Sequence, residues 1–144
     1  MLFRSNEPGH QVPFMYNYTV SPWKTQRKVR KILAEEYSDG PGGLSGNDDA
    51  GQMSAWYIFG SIGFYPLNPV STEYLLCSSL FDKVTIQLPS TKKFEIITYK
   101  TSDKAIYISK VTWNGKAYNK NFITHKMIEQ GGTLKIYLQQ QPSL

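Results

Sequence analysis

Two adjacent carboxylates, Asp48 and Asp49, stand between a glycine-rich stretch and an apolar run. Asn47 precedes them. This order of loop, acids and apolar helix brings acidic side chains to the end of a rigid element, where catalysis is often performed. The structural alternative is that Asp49 is the N-cap of the helix that follows.

A second polar group, Asn6, Glu7 and His10, surrounds Pro8 near the start of the chain. By itself this group predicts a polar cap ahead of a short helix through residues 12–16.

The element that must position the acids is a helix predicted over residues 50–62. Asp49 with Gln52 three residues later fits a capping box. The helix is apolar on all sides, which predicts that it is buried, and Gly60 suggests close packing against a neighbouring backbone. It is too short and too interrupted by glycine to span a membrane.

An amphipathic helix is predicted ahead of the glycine-rich stretch, from Ser21 as N-cap and Pro22 as first helical residue to Tyr37. Its apolar stripe is flanked by lysines and arginines. The chain carries a net charge of +5, which raises nucleic acid as a partner, but a solvated helix face is favoured because no nucleic-acid-binding signature is present. The two helices together resemble an outer and an inner helix of an α/α barrel.

After Gly63 the apolar period changes from helical spacing to two, which predicts strands. Asn114-Gly115 predicts a two-residue hairpin turn, and Thr124 predicts the cap of a short helix that ends at Gly131. The fold class is therefore α+β: a helical part over residues 1–65 packed on one antiparallel β-sheet over residues 66–144, within a single domain.

Two long blocks carry a resemblance to a known family. They are NDDAGQMSAWYIFGSIGFYPLNP, which starts at Asn47, and SNEPGHQVPFMYNYTVSPWKTQRKVR, which starts at Ser5. Both resemble glycoside hydrolase family 92, the calcium-dependent exo-acting α-mannosidases, and the resemblance extends over nearly the whole chain. It implies a hydrolase that acts on mannose-containing glycans, with α-1,2-linked mannosides as the expected substrates.

The resemblance also implies site residues. Inverting hydrolysis uses two carboxyl groups about 6.5–9.5 Å apart, one acid and one base. The family's general base matches Asp49, with Asn47 as a supporting contact and Asp48 between them. Asn6, Glu7 and His10 match residues that line the substrate side near a calcium ion, and the resemblance implies that this ion binds mannose hydroxyls. Asn6 and Glu7 carry the oxygen ligands that calcium prefers and are the candidate ligands. Ser5 and Gln11 depart from the family's pattern.

The family's general acid lies in a Glu-Gly-x-x-x-Gln-Tyr segment, and this chain has no such segment. We therefore expect a C-terminal piece of a mannosidase, inactive without the N-terminal part of the enzyme. The parent is expected to be periplasmic or secreted, while the compartment of this chain stays open because the lone Cys77 gives no redox evidence. Neither nucleic acid nor a membrane is an expected partner. The alternative function is a stand-alone carbohydrate-binding module that uses aromatic residues on the sheet, Trp113 among them.

Overall fold

A short 3₁₀ helix and two α-helices precede the strands in the computed structural model, which describes residues 9–89 and 91–142. The helices are the 3₁₀ helix Val12–Tyr18, α1 Trp23–Glu35, α2 Gln52–Ile62 and α3 His125–Gln130. The strands are β1 Phe64–Tyr65, β2 Glu73–Leu76, β3 Lys83–Gln87, β4 Lys93–Lys100, β5 Tyr107–Trp113, β6 Lys116–Ala117, β7 Phe122–Thr124 and β8 Gly132–Gln139. The α+β fold class is confirmed.

The predicted single antiparallel sheet is wrong. Within the described residues, β1, β2 and β7 form a three-stranded sheet, and a second sheet has the order β3-β4-β8-β5-β6. In this second sheet β4 and β8 run parallel, from Phe94 opposite Gly132 to Lys100 opposite Leu138. The two strands are separated by the β5–β6 hairpin, β7 and α3, so the chain has the length it needs to return in the same direction.

Helix α1 is one turn shorter than predicted. Its N-cap position is Pro22, with φ −62° in the helical region, and no side-chain cap bond is formed there. The backbone carbonyl of Ser21, not its hydroxyl, accepts a hydrogen bond of 3.0 Å from the Lys24 amide. The helix ends at Glu35, and its buried side includes Val29, Ile32 and Leu33, which belong to the predicted apolar stripe.

Two apolar clusters form the core. One lies on the inner face of the five-stranded sheet and includes Phe94, Ile96, Leu134 and Ile136. The other joins the helices to the smaller sheet through Phe14, Val29, Leu33, Trp56, Leu75 and Cys77. Phe59 packs against both clusters. Helix α2 therefore connects the two sheets.

Helices α1 and α2 approach closely at Gly60. A Cβ at this position would lie 3.4 Å from side-chain atoms of Val29 and Leu33, an ordinary van der Waals distance, so Gly60 faces side chains and not the neighbouring backbone that was predicted. The opposite side of α2 is open, since Ile58 is 59% exposed and Tyr57 is 37% exposed. The prediction that α2 is covered on all sides is wrong for this chain.

Two local predictions are confirmed. Asn114 and Gly115 have φ of 48° and 82°, and Trp113 pairs with Lys116 across this two-residue turn. Such paired positive φ values are those of a type I′ hairpin turn. The Thr124 hydroxyl accepts a hydrogen bond of 3.3 Å from the Met127 amide and so caps α3. In the described part of the chain, no helix has the length and apolar character to cross a membrane.

Candidate functional site

The acidic residues lie on an exposed loop between α1 and α2. A bridge between Tyr37 and Leu44 closes the first part of this loop. The Ser38 amide supports it with a hydrogen bond of 2.9 Å to the Gly43 carbonyl. Asn47, Asp48 and Asp49 follow, and all three side chains are exposed.

The backbone at the acids is left-handed over three consecutive residues. The φ angles are 49° at Asp49, 56° at Ala50 and 95° at Gly51. The N-cap position of α2 is Gly51, and no side-chain cap bond is formed there. The predicted capping box between Asp49 and Gln52 is therefore wrong, because Asp49 lies two residues before the N-cap position and its side chain bonds no helix amide.

Asp48 fixes the start of α2 instead. Its backbone carbonyl accepts hydrogen bonds of 3.1 Å from the amides of Gly51 and Met53. Its carboxylate Oδ1 accepts from the Ser54 amide at 3.0 Å and from the Ser54 hydroxyl at 2.9 Å. The Asp49 carboxylate, by contrast, forms no hydrogen bond or ion pair with any residue of the described ranges. The Asp48 carboxylate is thus hydrogen-bonded, whereas the Asp49 carboxylate is open to solvent.

His10 lies in the core rather than at the surface, with 1% of its area exposed. Its ring is stacked on Trp56 with centroids 5.4 Å apart. Nε2 lies 3.1 Å from the Met53 sulfur, and Nδ1 lies 3.3 Å from the Gln52 amide nitrogen. The Gln52 amide also donates to the Tyr65 hydroxyl at 3.3 Å. The predicted substrate residue is therefore joined to the first turn of α2.

Tyr37 supports the same turn from the other side. Its hydroxyl donates a hydrogen bond of 3.2 Å to the Met53 carbonyl, and its ring stacks on Trp56 at 6.0 Å. Burial, followed by the nearby Tyr65 and Asp48, raises the pKa of the Tyr37 hydroxyl well above its ordinary value. Sequence reasoning missed Tyr37, Gln52 and Tyr65 as supporting residues, since their partners are distant in the chain.

A groove of about 650 Å³ adjoins the acidic loop. It is lined by the glycine-rich stretch and by α2, including Tyr37, Ser54, Tyr57 and Ile58. The volume is in the range of small-molecule sites. The groove therefore offers space for a ligand, or for another segment of polypeptide, beside Asp48.

The other predicted ligands, Asn6 and Glu7, lie outside the described residues. Within residues 9–89 and 91–142, no group of three or more histidine, cysteine, aspartate or glutamate side chains is placed to hold a metal ion. Calcium takes 6–8 oxygen ligands, and the Asp48 Oδ1 is already bound to Ser54.

The aromatic candidate Trp113 lies elsewhere, and so does the exposed histidine His125. Trp113 is partly buried and packs on Phe94 with centroids 5.7 Å apart, which reduces the ring surface open to a sugar. His125 is exposed at the start of α3, where its Nδ1 lies 2.9 Å from the Tyr74 hydroxyl and its Nε2 lies 3.7 Å from Glu129. Among the contacts of the described residues, neither side chain touches the loop that carries Asp48 and Asp49.

Comparisons with known proteins identify the family of this chain. The model of the glycosyl hydrolase family 92 catalytic domain matches residues 1–140. An uncharacterized secreted glycosidase of Arthroderma benhamiae is 30% identical over 99% of this chain and 19% of its own length.

Solved structures agree in sequence and in shape. The family GH92 α-mannosidase BT3965 from Bacteroides thetaiotaomicron, in complex with mannoimidazole, is 39% identical with a TM-score of 0.91, over 97% of this chain and 18% of that one. The family GH92 inverting mannosidase BT2199 of the same organism is 37% identical with a TM-score of 0.90, over 97% of this chain and 19% of that one. The chain thus spans about a fifth of the length of these relatives. It belongs to glycosyl hydrolase family 92 and corresponds to part of that family's catalytic domain.

Proposed function

We propose that this chain supplies the general-base side of the active site of an inverting, calcium-dependent exo-α-mannosidase. The observation that carries the proposal is the state of Asp49, whose carboxylate is exposed and unbound among the described residues while the loop around it is tied to the core. A base must be free to accept a proton and must be held in one place. The Asp49 carboxylate is free and the backbone that carries it is held by hydrogen bonds, whereas the Asp48 carboxylate is bound to Ser54.

In the proposed mechanism, the Asp49 carboxylate accepts a proton from a water molecule as that water attacks the anomeric carbon. The exposed amide of Asn47, two residues earlier, holds the water or a sugar hydroxyl. The general acid that protonates the leaving oxygen comes from another part of the catalytic domain, on the opposite side of the sugar. The product then has inverted configuration.

The substrate class follows from the relatives, two of which are named as mannosidases. We propose mannose-containing glycans, with α-1,2-linked mannose as the preferred terminal sugar. The groove beside the acidic loop is a candidate place for the terminal sugar or for the segment that completes the pocket.

We propose that Asn6 and Glu7 are ligands of a calcium ion. When bound, the ion would supply a positive charge that holds mannose hydroxyls and eases ring distortion. Since no group of three or more histidine, cysteine, aspartate or glutamate side chains is placed to hold a metal ion among the described residues, we propose that further ligands come from elsewhere in the catalytic domain.

The remainder of the catalytic domain also completes the fold in this proposal. Helices α1 and α2 would be the last hairpin of an α/α barrel, and the open side of α2 at Tyr57 and Ile58 would face the other helices. The 144 residues are then inactive by themselves, because the general acid and part of the pocket lie elsewhere. By analogy with the secreted relative, the whole enzyme would work in the periplasm or outside the cell.

A hybrid enzyme tests the proposal. This chain replaces the matching segment of the Bacteroides thetaiotaomicron α-mannosidase, and mannose release is measured from α-1,2-, α-1,3- and α-1,6-linked mannobiose. We expect activity on the α-1,2 substrate, β-mannose as the first product by NMR, loss after chelation and recovery with calcium. The 144-residue chain alone should release no mannose. A folded hybrid with no activity on any substrate would reject the proposed function, and retained configuration would reject the inverting mechanism.

A further inference from the structure

The loop that carries Asp49 has a conformation that its residues disfavour. Asp49 and Ala50 both have positive φ, and neither is glycine. The left-handed region is unfavourable for a residue with a Cβ, because this atom approaches the following carbonyl oxygen, and Asp tolerates it better than Ala does. Two such residues in succession persist only where surrounding contacts determine the conformation.

Those contacts come from Asp48. Its carbonyl bridges the left-handed segment by accepting from Gly51 and Met53, both at 3.1 Å. Its carboxylate reaches past the segment to Ser54, with two hydrogen bonds of 2.9 and 3.0 Å to the same oxygen. The backbone N–H of Gln52 donates a hydrogen bond of 3.2 Å to the Asp49 carbonyl. Hydrogen bonds to Asp48 and to the first turn of α2 therefore hold the backbone of residues 49–51.

The first turn of α2 is itself fixed to the core. Met53 is fully buried between His10 and Tyr37. The His10 ring nitrogen Nε2 contacts its sulfur, and the Tyr37 hydroxyl donates a hydrogen bond to its carbonyl. Gln52 is joined to His10 and Tyr65. A rigid turn at this point gives the Asp48 hydrogen bonds a fixed anchor.

We propose that Asp48 is a positioning residue, which holds residues 49–51 in the left-handed conformation so that Asp49 is presented in one orientation. This inference rests on the proposed role of Asp49 as the base. It assigns to Asp48, one of the three acidic-loop residues that the sequence offers for catalysis, a structural task that depends on hydrogen-bond geometry and not on proton transfer.

The test uses the 144-residue chain, labelled with ¹⁵N and ¹³C, and requires no substrate. Amide exchange of Ser54, together with the backbone chemical shifts of Asp49 and Ala50, is compared in the wild type, Asp48→Ala and Asp48→Asn. Loss of the acceptor in Asp48→Ala should accelerate Ser54 exchange by about fivefold or more, as expected for one lost hydrogen bond. Asp48→Asn keeps an acceptor oxygen and should stay within about threefold of the wild type.

Two further variants make the result decisive. Asp82→Ala is the matched control, because Asp82 is exposed and its carboxylate contacts Lys100 on another part of the surface. It should leave the loop unchanged. Ser54→Ala removes one of the two donors and should move the Asp49 and Ala50 shifts even if Asp48→Ala fails to fold.

Unchanged loop shifts and unchanged Ser54 exchange in folded Asp48→Ala would overturn the inference. If Asp48→Ala does not fold, unchanged loop shifts in Ser54→Ala would overturn it instead. Faster exchange in Asp48→Asn equal to that in Asp48→Ala would also contradict it, because charge rather than geometry would then hold the loop. None of these outcomes depends on sugar cleavage, so a failure here is distinct from an inactive hybrid enzyme.

Discussion

The indole N–H of Trp56 donates a hydrogen bond of 3.0 Å to the backbone carbonyl of His10, and the two rings lie stacked 5.4 Å apart. This pair joins the segment before the 3₁₀ helix to the centre of α2 across 46 residues of sequence. Trp56 also contacts Phe14, Tyr37 and Tyr65. The residue that holds the helix under the acidic loop is therefore an aromatic of the core.

Trp56→Phe should reduce the free energy of unfolding by about 2–4 kcal/mol, since it removes the buried hydrogen bond to the His10 carbonyl and opens a cavity. Urea unfolding followed by circular dichroism measures the change. Trp23→Phe is the control, because Trp23 is only partly buried and packs near Tyr107 and surface cations. Equal effects of the two variants would contradict the central position of Trp56.

The left-handed loop predicts opposite effects of the same substitution at two nearby alanines. Ala50→Gly should stabilise the chain by up to about 1 kcal/mol, because glycine accepts the φ of 56° without a Cβ contact. Ala55→Gly, inside α2, should destabilise it by about 1 kcal/mol through the lower helix propensity of glycine. Thermal unfolding of both variants is the measurement, and destabilisation by Ala50→Gly would show that Ala50 is not left-handed in solution.

Gly63 ends α2 with a φ of 109°, and a Cβ there would lie 3.2 Å from Ser79. Gly63→Ala should therefore destabilise the chain by about 1–3 kcal/mol through backbone strain and crowding. In Gly42→Ala the new Cβ meets no atom within 4 Å, and the change should be within about 0.5 kcal/mol of neutral. Denaturant midpoints distinguish the two, and a neutral Gly63→Ala would reject the described C-cap.

Stability should fall at alkaline pH through Cys77. Burial raises the pKa of its thiol to about 12, and the attraction of Arg30 only partly offsets this. The folded chain then holds its proton at a pH where the unfolded chain, with a thiol pKa of about 8.5, has released it. Stability is therefore full below pH 8.5 and declines as pH rises from there towards 12, by at most about 1.4 kcal/mol per pH unit.

Thiol labelling at pH 8 provides the measurement for Cys77. The folded chain should react at least about a hundredfold more slowly than the chain in urea, because the thiol is fully buried. In Cys77→Ala the decline of stability between pH 9 and pH 11 should be smaller than in the wild type. Fast labelling of the folded chain would contradict the burial of Cys77.

Local signals in the sequence were sufficient for the local structure. The Asn114-Gly115 turn and the Thr124 cap depend on residues within three positions of one another, and both are confirmed. The pairing of β4 with β8 was not predictable in this way, because a parallel pair has no turn that marks it. The burial of His10 likewise depends on Trp56, which lies far along the chain.

The structure of the loop that carries Asp48 and Asp49 was also only partly predictable from local sequence signals. Type and spacing of Asn47, Asp48 and Asp49 favoured a helix cap at Asp49, and the cap bonds belong to Asp48 instead. The difference arises from three successive left-handed residues, two of which are not glycine and so give no signal in composition. Residue types indicated a site here, but the division of tasks between the two acids required coordinates.

The most direct test of the account is the pair of variants Asp49→Asn and Asp48→Asn in the hybrid mannosidase, with Asp82→Asn as the control. Loss of a general base should lower kcat/KM of Asp49→Asn by about 10²- to 10⁴-fold, whereas Asp48→Asn, which keeps its hydrogen bonds, should lose less than about tenfold. Asp82→Asn should be unchanged. A hybrid in which Asp49→Asn keeps its activity, or in which Asp48→Asn loses as much, would contradict the assignment of Asp49 as the base.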